Sequence, residues 1–299
     1  MDVAVVIPAY NSAATLGRAL QSVFAQTVTP AQVIVVDDGS SDDPAAALAP
    51  WQARVQRVRQ ANAGAAAARN RGVALARTEW IAFLDADDYW HPDKLRRQWQ
   101  ALAQQPQLQL CCTGFRNLMA DDPLLPWPAT DDAAVVIDRD FSQTFERPYL
   151  ATPTVMLRRR AFEEAGGFRE GLRTAEDVDL WLRLAWRHPI GRLPATLVTV
   201  VVTPGSTTAR RQDGVFIDNL QVIDQFIADH PQFAQRHPRS VRRARAKVLE
   251  DWGSQALCGG EAALARRQLL ASLRQRPAGR PALLLAKALL AGAWPGMLR

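Results

Sequence analysis

Cysteine is scarce in this sequence: three residues, Cys111, Cys112 and Cys258, occur among 299. Their spacing matches neither a zinc site nor the disulfide framework of a small secreted domain. We therefore expect a protein of a reducing compartment. The adjacent pair is expected to pack inside a strand, because free cysteine is among the most buried residue types.

Long hydrophobic runs are also missing. The first residues, MDVAVVIPAY, have no basic segment before their short apolar part, which is broken at Pro8, so they lack the pattern of a signal peptide. The longest apolar run, from Pro281 to Trp294, is interrupted by Lys287 and is shorter than the roughly 18 residues of a membrane span. We expect no transmembrane helix and a cytoplasmic protein.

The charge is unevenly distributed along the chain. The net charge is +6, and residues 210–299 contain 15 Lys and Arg against 7 Asp and Glu, which leaves +8 there and −2 on residues 1–209. A basic tail favours contact with an anionic acceptor or with lipid headgroups, here at the inner face of the cell membrane. A solvated helical face is the alternative. Nucleic-acid binding is not expected, because aromatic residues are not interleaved with the basic ones.

Four strand-helix units are predicted in roughly the first 100 residues. Each joins a predicted strand to a predicted helix: DVAVVIP and NSAATLGRALQSVFAQ, QVIVVDD and a helix from about Pro44, VQRVRQ and GAAAARNRGVALAR, WIAFLDADD and PDKLRRQWQALAQQ. Such alternation indicates an α/β protein with a mainly parallel sheet flanked by helices. The hydrophobic content of 48% is sufficient for a substantial core.

The pattern is less regular after Ala103. Strands are predicted at LQLCCTGF, TPTVML and ATLVTVVV, and helices at RRAFEEAGGF and TAEDVDLWLRLAWR. The remainder is predicted to be helical, with LARRQLLASLRQRP and PALLLAKALL as an antiparallel pair. We therefore divide the chain into an α/β domain, residues 1–209, and a basic helical region, residues 210–299.

Three carboxylates, Asp85, Asp87 and Asp88, follow the fourth predicted strand in FLDADDYW. In open parallel sheets ligands bind beyond the carboxyl ends of the strands, and side chains two residues apart on an extended chain point the same way. A hard divalent cation takes carboxylate and phosphate oxygens and would offset the repulsion among the acids. An Asp-rich turn that caps the next helix is the alternative.

Two further segments are predicted at the same edge of the sheet. Asp37 and Asp38 follow the second strand in VVDDGSSDD, where an acid can accept hydrogen bonds from a base or a ribose hydroxyl, although DDGS is also an ordinary turn sequence. In NAGAAAARNRG, Gly64 opens a helix whose free N–H groups favour an anion, and Arg69 lies about 1.4 turns further along. Close packing of small residues on the sheet is the alternative for this helix.

Six motifs together resemble the family-2 glycosyltransferases in order and spacing: VVIPAYN, VVDDGSSDD, NAGAAAARNRG, FLDADDYWHPDKL, GGF and EDVDLWLRL. The resemblance covers roughly Asp2 to Trp186. It implies a GT-A fold for residues 1–209. It also implies inverting transfer of a sugar from a nucleoside diphosphate sugar, often a UDP or dTDP sugar, to a hydroxyl of a glycan or lipid-linked acceptor during polysaccharide, lipopolysaccharide or other glycan assembly.

The resemblance further implies a donor site with a divalent cation. Asp87 would hold the Mg²⁺ or Mn²⁺ that bridges the two phosphates, with Asp85 and Asp88 beside it. The residues that would bind the donor nucleotide are Pro8, Ala9, Tyr10, Asn11, Asp38, Asn62, Gly64, Arg69, Asp85 and Ala86.

By the same resemblance, Asp177 would be the general base that removes the proton of the acceptor hydroxyl. Glu176 and Trp181 would lie near the acceptor or the donor sugar. We expect burial and the neighbouring Glu176 to raise the pKa of Asp177. Without the other motifs, acids favoured at the start of a helix would be the preferred explanation of EDVD.

One segment departs from the family pattern. Family members often have a Tyr-Arg pair and a His shortly before a Gly-Ser segment, whereas VTVVVTPGSTTAR has Val and Thr in those places, near Thr203. Arg210 or Arg211 could supply the missing positive charge. This departure keeps open a nucleotide-sugar-binding protein with impaired turnover. A sugar nucleotidyltransferase is a weaker alternative, since IPAYNSAATLG has no glycine-rich basic phosphate loop.

Overall fold

The computed structural model describes residues 2–120, 122, 126–128, 134–172, 174–202 and 212–293, without the side chains of residues 212 and 291–293. The segment that contains Thr203, Arg210 and Arg211 lies outside these ranges, as does most of the loop that begins at Asp121. The chain forms two compact units: Met1–Phe141 with Leu150–Ser206, and Ser142–Tyr149 with Thr207–Arg299.

Strands and helices alternate in the first unit, and the expected α/β class is confirmed. The strands are β1 (Val3–Ala9), β2 (Gln32–Asp37), β3 (Gln56–Arg59), β4 (Trp80–Phe83), β5 (Tyr89–Trp90), β6 (Leu110–Met119), β7 (Val136–Asp138), β8 (Met156–Arg158) and β9 (Ile190–Val202). The helices before residue 203 are α1 (Ala13–Phe24), α2 (Ala45–Leu48), α3 (Ala65–Leu75), α4 (Lys94–Gln104), α5 (Phe141–Glu146), α6 (Arg159–Glu164) and α7 (Glu176–Arg187), with 3₁₀ turns at Ala49–Trp51 and Thr152–Thr154.

The described strands form one sheet in the order β3-β2-β1-β4-β8-β6-β9-β5, with β7 also paired to β9. The four strands of the predicted strand-helix units, β3 to β4 in this order, are parallel. From β8 onward the pairing is antiparallel except between β6 and β9. The parallel block aligns the carboxyl ends of β1, β2 and β4 at one edge, which brings the motifs that follow these strands together.

Helices α1 and α3 cover this parallel block. The predicted apolar stripe of α1 is buried at Leu16, Leu20 and Val23. In α3 the alanines at positions 66–68 are buried, and a Cβ atom added to Gly72 would lie 2.3 Å from Cγ1 of Val6 in β1. The small residues of α3 therefore permit the helix to lie directly on the sheet, as expected from their composition.

The second unit is helical beyond residue 211. Its helices are α8 (Gln212–Asp229), α9 (Pro231–Arg236), α10 (Pro238–Cys258), α11 (Ala262–Gln275) and α12 (Gly279–Ala293). Helices α10, α11 and α12 share a small core that contains Leu257, Leu269 and Ala288. Among the helices of the described residues, none combines the length and apolar character that crossing a bilayer requires.

The cysteine pair lies where expected. Cys111 and Cys112 are buried in β6, whereas Cys258 is exposed at the end of α10. In β6 the pair lies opposite Gly191 and Arg192 of β9, and the register between the two strands shifts only after Thr113. The two thiols therefore contribute to packing in the sheet.

Candidate active site

The loops after β1 and β2 are joined by Asn11. Its backbone has a left-handed φ of +48°, which Asn tolerates better than most residues. The backbone N–H of Asn11 donates to Oγ of Ser40 at 3.1 Å, and its Oδ1 accepts from the N–H and the hydroxyl of Ser41 at 2.8 and 3.0 Å. These contacts fix the two loops relative to each other at the carboxyl edge of the sheet.

Asp38 connects the loop after β2 to the start of α3. Its carboxylate is buried, and Oδ1 accepts from the side chain of Gln60 at 2.8 Å and from the N–H of Ala63 at 3.0 Å. Its Oδ2 accepts from the N–H of Gly64 at 2.8 Å, where φ is +93°. The structure thus places Asp38 as the residue that holds the glycine turn preceding α3.

Arg69 joins the acids after β4 to the start of α7. Its Nη2 lies 2.7 Å from Oδ1 of Asp85, and its Nη1 lies 2.8 Å from Oε1 of Glu176. The guanidinium is 6% exposed and lies 5.4 Å from the ring centre of Phe168. Burial acts to lower the pKa of Arg69, but the charges of Asp85 and Glu176 raise it above its usual value. The arginine therefore stays charged and neutralises two carboxylates at once.

The remaining acids of the cluster differ in environment. Asp87 is partly buried, and its backbone carbonyl accepts from Nη2 of Arg18 at 2.9 Å. Asp88 is buried, and its Oδ1 accepts from the N–H of Val201 in β9 at 2.8 Å. Burial first, and then the charge of Asp85, raise the pKa of both Asp87 and Asp88. Burial and the neighbouring Asp85 therefore disfavour the ionised forms of Asp87 and Asp88, and a cation nearby would favour them.

The carboxylates of the acidic cluster suit a divalent cation whose other ligands include a phosphate group. Among the residues that the structure describes, no three or more His, Cys, Asp or Glu side chains converge to form a complete protein metal site. Mg²⁺ is commonly held by one or two carboxylates together with substrate phosphates and water. Asp85 and Asp87, both partly accessible, match this requirement, whereas the buried Asp88 is occupied by β9.

Asp177 lies in the first turn of α7, directly after Glu176. Its Oδ1 accepts from the N–H of Val178 at 2.7 Å, and its Oδ2 accepts from the hydroxyl of Thr152 at 3.3 Å. Burial and then the charge of Glu176 raise the pKa of Asp177 to about 6, in the direction expected from the sequence. A carboxylate with this pKa is largely ionised at neutral pH and is basic enough to accept a proton from a hydroxyl in a transition state.

The turn that carries Thr152 is itself fixed by buried donors. Nε1 of Trp90 donates to the carbonyl of Pro153 at 2.9 Å, and Nε2 of Gln98 donates to the carbonyl of Thr154 at 2.9 Å. Trp90 and Gln98 are both almost fully buried. Residues of β5 and α4 thus set the position of the hydroxyl that contacts Asp177.

The other predicted residues occupy two kinds of position. Tyr10 and Asn62 are exposed at the carboxyl edge, whereas Ala9 and Ala86 are buried there and Pro8 is partly buried. The side chain of Trp181 is fully buried, and its ring packs edge-on against Phe168 with centroids 5.9 Å apart.

The structure adds three residues to those predicted: Arg18, Ser40 and Thr152. Each meets the site through a contact between segments far apart in sequence, as when Arg18 reaches Asp87 across 69 residues. Neither spacing nor composition distinguishes these residues from others in their segments. Only the pairing of strands and loops identifies them.

The family model described as Glycosyl transferase family 2 matches residues 4–166, which is more than half of the chain. The match begins in β1 and ends directly after α6, so it contains the carboxyl edge with Asn11, Asp38, Arg69 and the acidic cluster.

Curated relatives extend the similarity further along the chain. An uncharacterized glycosyltransferase of Rickettsia felis is 26% identical over 250 residues, which cover 83% of this chain and 40% of the relative. The succinoglycan biosynthesis protein ExoU of Rhizobium meliloti is 29% identical over 259 residues, covering 81% of this chain and 75% of that protein. The alignments with the Rickettsia felis protein and with three further uncharacterized glycosyltransferases span only 31% to 40% of those proteins' lengths.

Among solved structures, residues 1–349 of TarS from S. aureus in complex with UDP align with a TM-score of 0.58. The identity is 17%, and the alignment covers 100% of this chain and 93% of the TarS chain. At this identity the likeness concerns the fold, and it confirms the expected GT-A architecture.

Proposed function

This chain belongs to glycosyl transferase family 2, and we propose that it transfers a sugar from a nucleoside diphosphate sugar to an acceptor hydroxyl with inversion at the anomeric carbon. The observation that carries this proposal is the link made by Arg69 between Asp85, in the acidic cluster, and Glu176, beside Asp177. Arg69 thereby holds the acidic cluster, which suits a metal ion and a diphosphate, close to Asp177, which suits proton removal.

The donor nucleotide would bind at the carboxyl edge of the parallel block. Tyr10 and Asn62 are exposed there, and Asp38 fixes the N-terminal turn of α3. A uridine or thymidine diphosphate is the donor class that we propose. Because the structurally similar TarS was determined with UDP, UDP is the first nucleotide to test.

Asp85 and Asp87 would hold Mg²⁺ or Mn²⁺ together with the diphosphate. When bound, the cation would supply charge neutralisation for the leaving diphosphate. Asp88 would position the other two acids rather than bind the cation, because it accepts a hydrogen bond from the N–H of Val201 and so fixes the turn after β4 against β9. Arg69 would orient Asp85 through its 2.7 Å ion pair.

Asp177 would be the general base. A carboxylate oxygen of Asp177 would accept the proton of the acceptor hydroxyl. At the same time the hydroxyl oxygen would form the new bond to the anomeric carbon, and the bond from that carbon to the diphosphate would break on the opposite face. One proton thus moves to Asp177 and one nucleoside diphosphate leaves. The pKa of about 6 keeps the carboxylate ionised at pH 7 and makes it a stronger base than an ordinary aspartate.

The acceptor that we propose is a hydroxyl of a growing polysaccharide or a lipid-linked glycan. Similarity to a succinoglycan biosynthesis protein supports this class of acceptor. The excess of basic residues after residue 209 supports peripheral contact of the chain with an anionic membrane surface.

Assays of donor binding and turnover distinguish the candidate functions. We would incubate the full chain with UDP and dTDP sugars, Mn²⁺ and a panel of oligosaccharides, and detect the glycosylated product by mass spectrometry. The transferase yields product with wild type but not with Asp177→Asn, although both bind donor. An impaired binding protein binds donor and gives no product, and a nucleotidyltransferase instead makes nucleotide sugar from a nucleoside triphosphate and a sugar 1-phosphate.

A further inference from the structure

The second unit contains a cavity of about 270 Å³ that the proposed transferase chemistry does not use. Its wall is formed by the end of α5 and the residue after it, by α10, and by the region where α11 ends and α12 begins. The lining residues are Glu146, Arg147, Arg243, Ala246, Lys247, Glu250, Ser272, Arg276, Ala278 and Pro281. Four of these side chains are cationic and two are carboxylates, so the lining carries a net charge of +2.

Ion pairs within the second unit neutralise only some of the charged side chains that line the cavity. Arg243 lies 3.3 Å from Glu146, Lys247 lies 2.5 Å from Asp251, and Glu250 pairs with Arg280 at 2.8 Å.

Arg147 and Arg276 have no ion-pair partner in the described part of the chain, although both line the cavity. A guanidinium presents a planar fork of donors that matches the oxygens of a phosphate group. The two unpaired arginines are therefore the feature of the cavity that points to an anionic ligand.

The wall is anchored on both sides. Phe145, next to the lining segment, is 1% exposed, and its ring packs 4.8 Å from that of Phe233 and 5.3 Å from that of Phe226. Opposite, the buried hydroxyl of Ser272 donates to the carbonyl of Ala246 at 2.8 Å and joins α11 to α10. The cationic side chains thus project from packed elements of one unit.

The size of the cavity limits the ligand. Water occupies about 30 Å³ per molecule in the liquid, so the cavity has the volume of roughly nine waters. Pockets for drug-sized ligands are usually about 300–1,000 Å³. The space suits a phosphate group with a few carbon and hydroxyl groups. Glu146 and Glu250 offer carboxylate oxygens that can accept from hydroxyl groups beside the phosphate.

We propose that this cavity binds the phosphate of a small phosphorylated polyol, either free or as the head group of a lipid. The site is separate from the donor site and does not depend on the proposed transferase activity. Its ligand could be part of an acceptor or of a membrane, and these two sources share the phosphate and hydroxyl chemistry that the cavity recognises.

The test compares two charge-matched double variants of the full chain. Arg147→Gln with Arg276→Gln removes the two unpaired cations of the cavity. Arg239→Gln with Arg267→Gln removes two arginines of α10 and α11 that are exposed, as Arg147 and Arg276 are, but do not line the cavity. Circular dichroism and the melting temperature verify that both variants fold, and about 0.15 M salt screens non-specific attraction between exposed charges.

Glycerol 3-phosphate, titrated calorimetrically, reports on the free ligand. Vesicles of phosphatidylglycerol mixed with phosphatidylcholine, compared with phosphatidylcholine alone in a sedimentation assay, report on the head group. The proposal requires that the cavity variant lose at least tenfold affinity for one probe while the control loses less than twofold. Loss for the vesicles identifies a lipid source, and loss for glycerol phosphate alone identifies a free ligand. Equal loss in both variants, or no binding of either probe by wild type, would overturn it.

Discussion

Nη1 of Arg69 donates to Oε1 of Glu176 at 2.8 Å, across 107 residues of sequence. The same guanidinium contacts Asp85 at 2.7 Å, so the loop after β4 and the first turn of α7 share one buried cation. This contact determines the separation between the proposed metal-binding carboxylates and the proposed base. Removal of the arginine should therefore affect both the folded state and the site.

Replacement of Arg69 by Met should lower the free energy of unfolding by about 3–5 kcal/mol, because it leaves Asp85 and Glu176 charged without a partner. Urea denaturation measures this change. Arg71→Met is the matched control: Arg71 is exposed on the same helix, and surface substitutions usually change stability by less than about 0.5 kcal/mol. Equal stability of the two variants would show that the buried ion pairs are not needed.

Asp177→Asn should lower the rate of sugar transfer by about 10²–10⁴-fold, the usual contribution of a general base, with donor affinity nearly unchanged. Stability should respond in the opposite direction. The pKa of Asp177 is raised to about 6 in the folded protein, so ionisation costs stability as the pH rises from about 4 through 6. Asn carries no such charge.

The melting temperature of Asp177→Asn should thus exceed that of wild type at pH 7.5 by a few degrees, and the difference should shrink towards pH 4. Calorimetry at both pH values measures it. A variant that is less stable than wild type at pH 7.5 would contradict the claim that ionisation of the buried Asp177 lowers stability.

Thr152→Val should shift the acidic limb of kcat/KM to higher pH. The threonine hydroxyl donates to Oδ2 of Asp177 and favours the ionised form, so its loss should raise the pKa of Asp177 above 6. The groups that also face this carboxyl, Glu176, Arg69 and Asp85, remain in place. We expect a shift of about 0.5–1 pH unit, with recovery of activity at pH 8.

Thr152→Ser keeps the hydroxyl and is the matched control, since it should leave the pH profile in place. A loss of activity that is the same at every pH would indicate that Thr152 acts only through packing. A displaced profile in the serine variant would lead to the same conclusion.

Lys94→Met should remove a pH dependence of stability. Lys94 is fully buried beneath the sheet, with Nζ 2.8 Å from Oε1 of Gln98, and burial lowers its pKa to about 7. Between pH 7 and about 10 the unfolded chain binds more protons at this lysine than the folded chain, so wild type gains stability as the pH rises.

Melting temperatures at pH 6.5, 8 and 9.5 test this expectation. The slope should be smaller for Lys94→Met than for wild type, and Lys287→Met, which removes an exposed lysine of α12, should keep the wild-type slope. Identical slopes for all three proteins would contradict a neutral lysine in the core.

The parallel block was predictable because its signals are local. Strands β1, β2 and β4 are apolar runs, and a helical stripe follows the first of them in α1 at Leu16, Leu20 and Val23. Once the strands are parallel, the position of Asp38 and Asp85 at one edge follows from geometry alone. The small residues of α3 likewise indicate close contact with the sheet.

The remaining features depend on contacts that no local pattern reports. Strand β5 has two residues and exists because Tyr89 pairs with Thr199 of β9. The contact of Thr152 with Asp177 joins an irregular turn to a helix. Trp181 belongs to an apolar helical stripe, and the structure buries it in accordance with that stripe.

The central claim is that Asp87 and Asp85 hold a divalent cation with the diphosphate of the donor. Calorimetric titration of UDP into the full chain, with Mn²⁺ and then with EDTA, measures it most directly. Wild type should bind UDP at least tenfold more tightly with Mn²⁺. Asp87→Asn should abolish this difference, and Glu164→Gln, a change of equal charge at an exposed residue of α6, should retain it. Metal-independent affinity in wild type, or an unchanged metal effect in Asp87→Asn, would contradict the account.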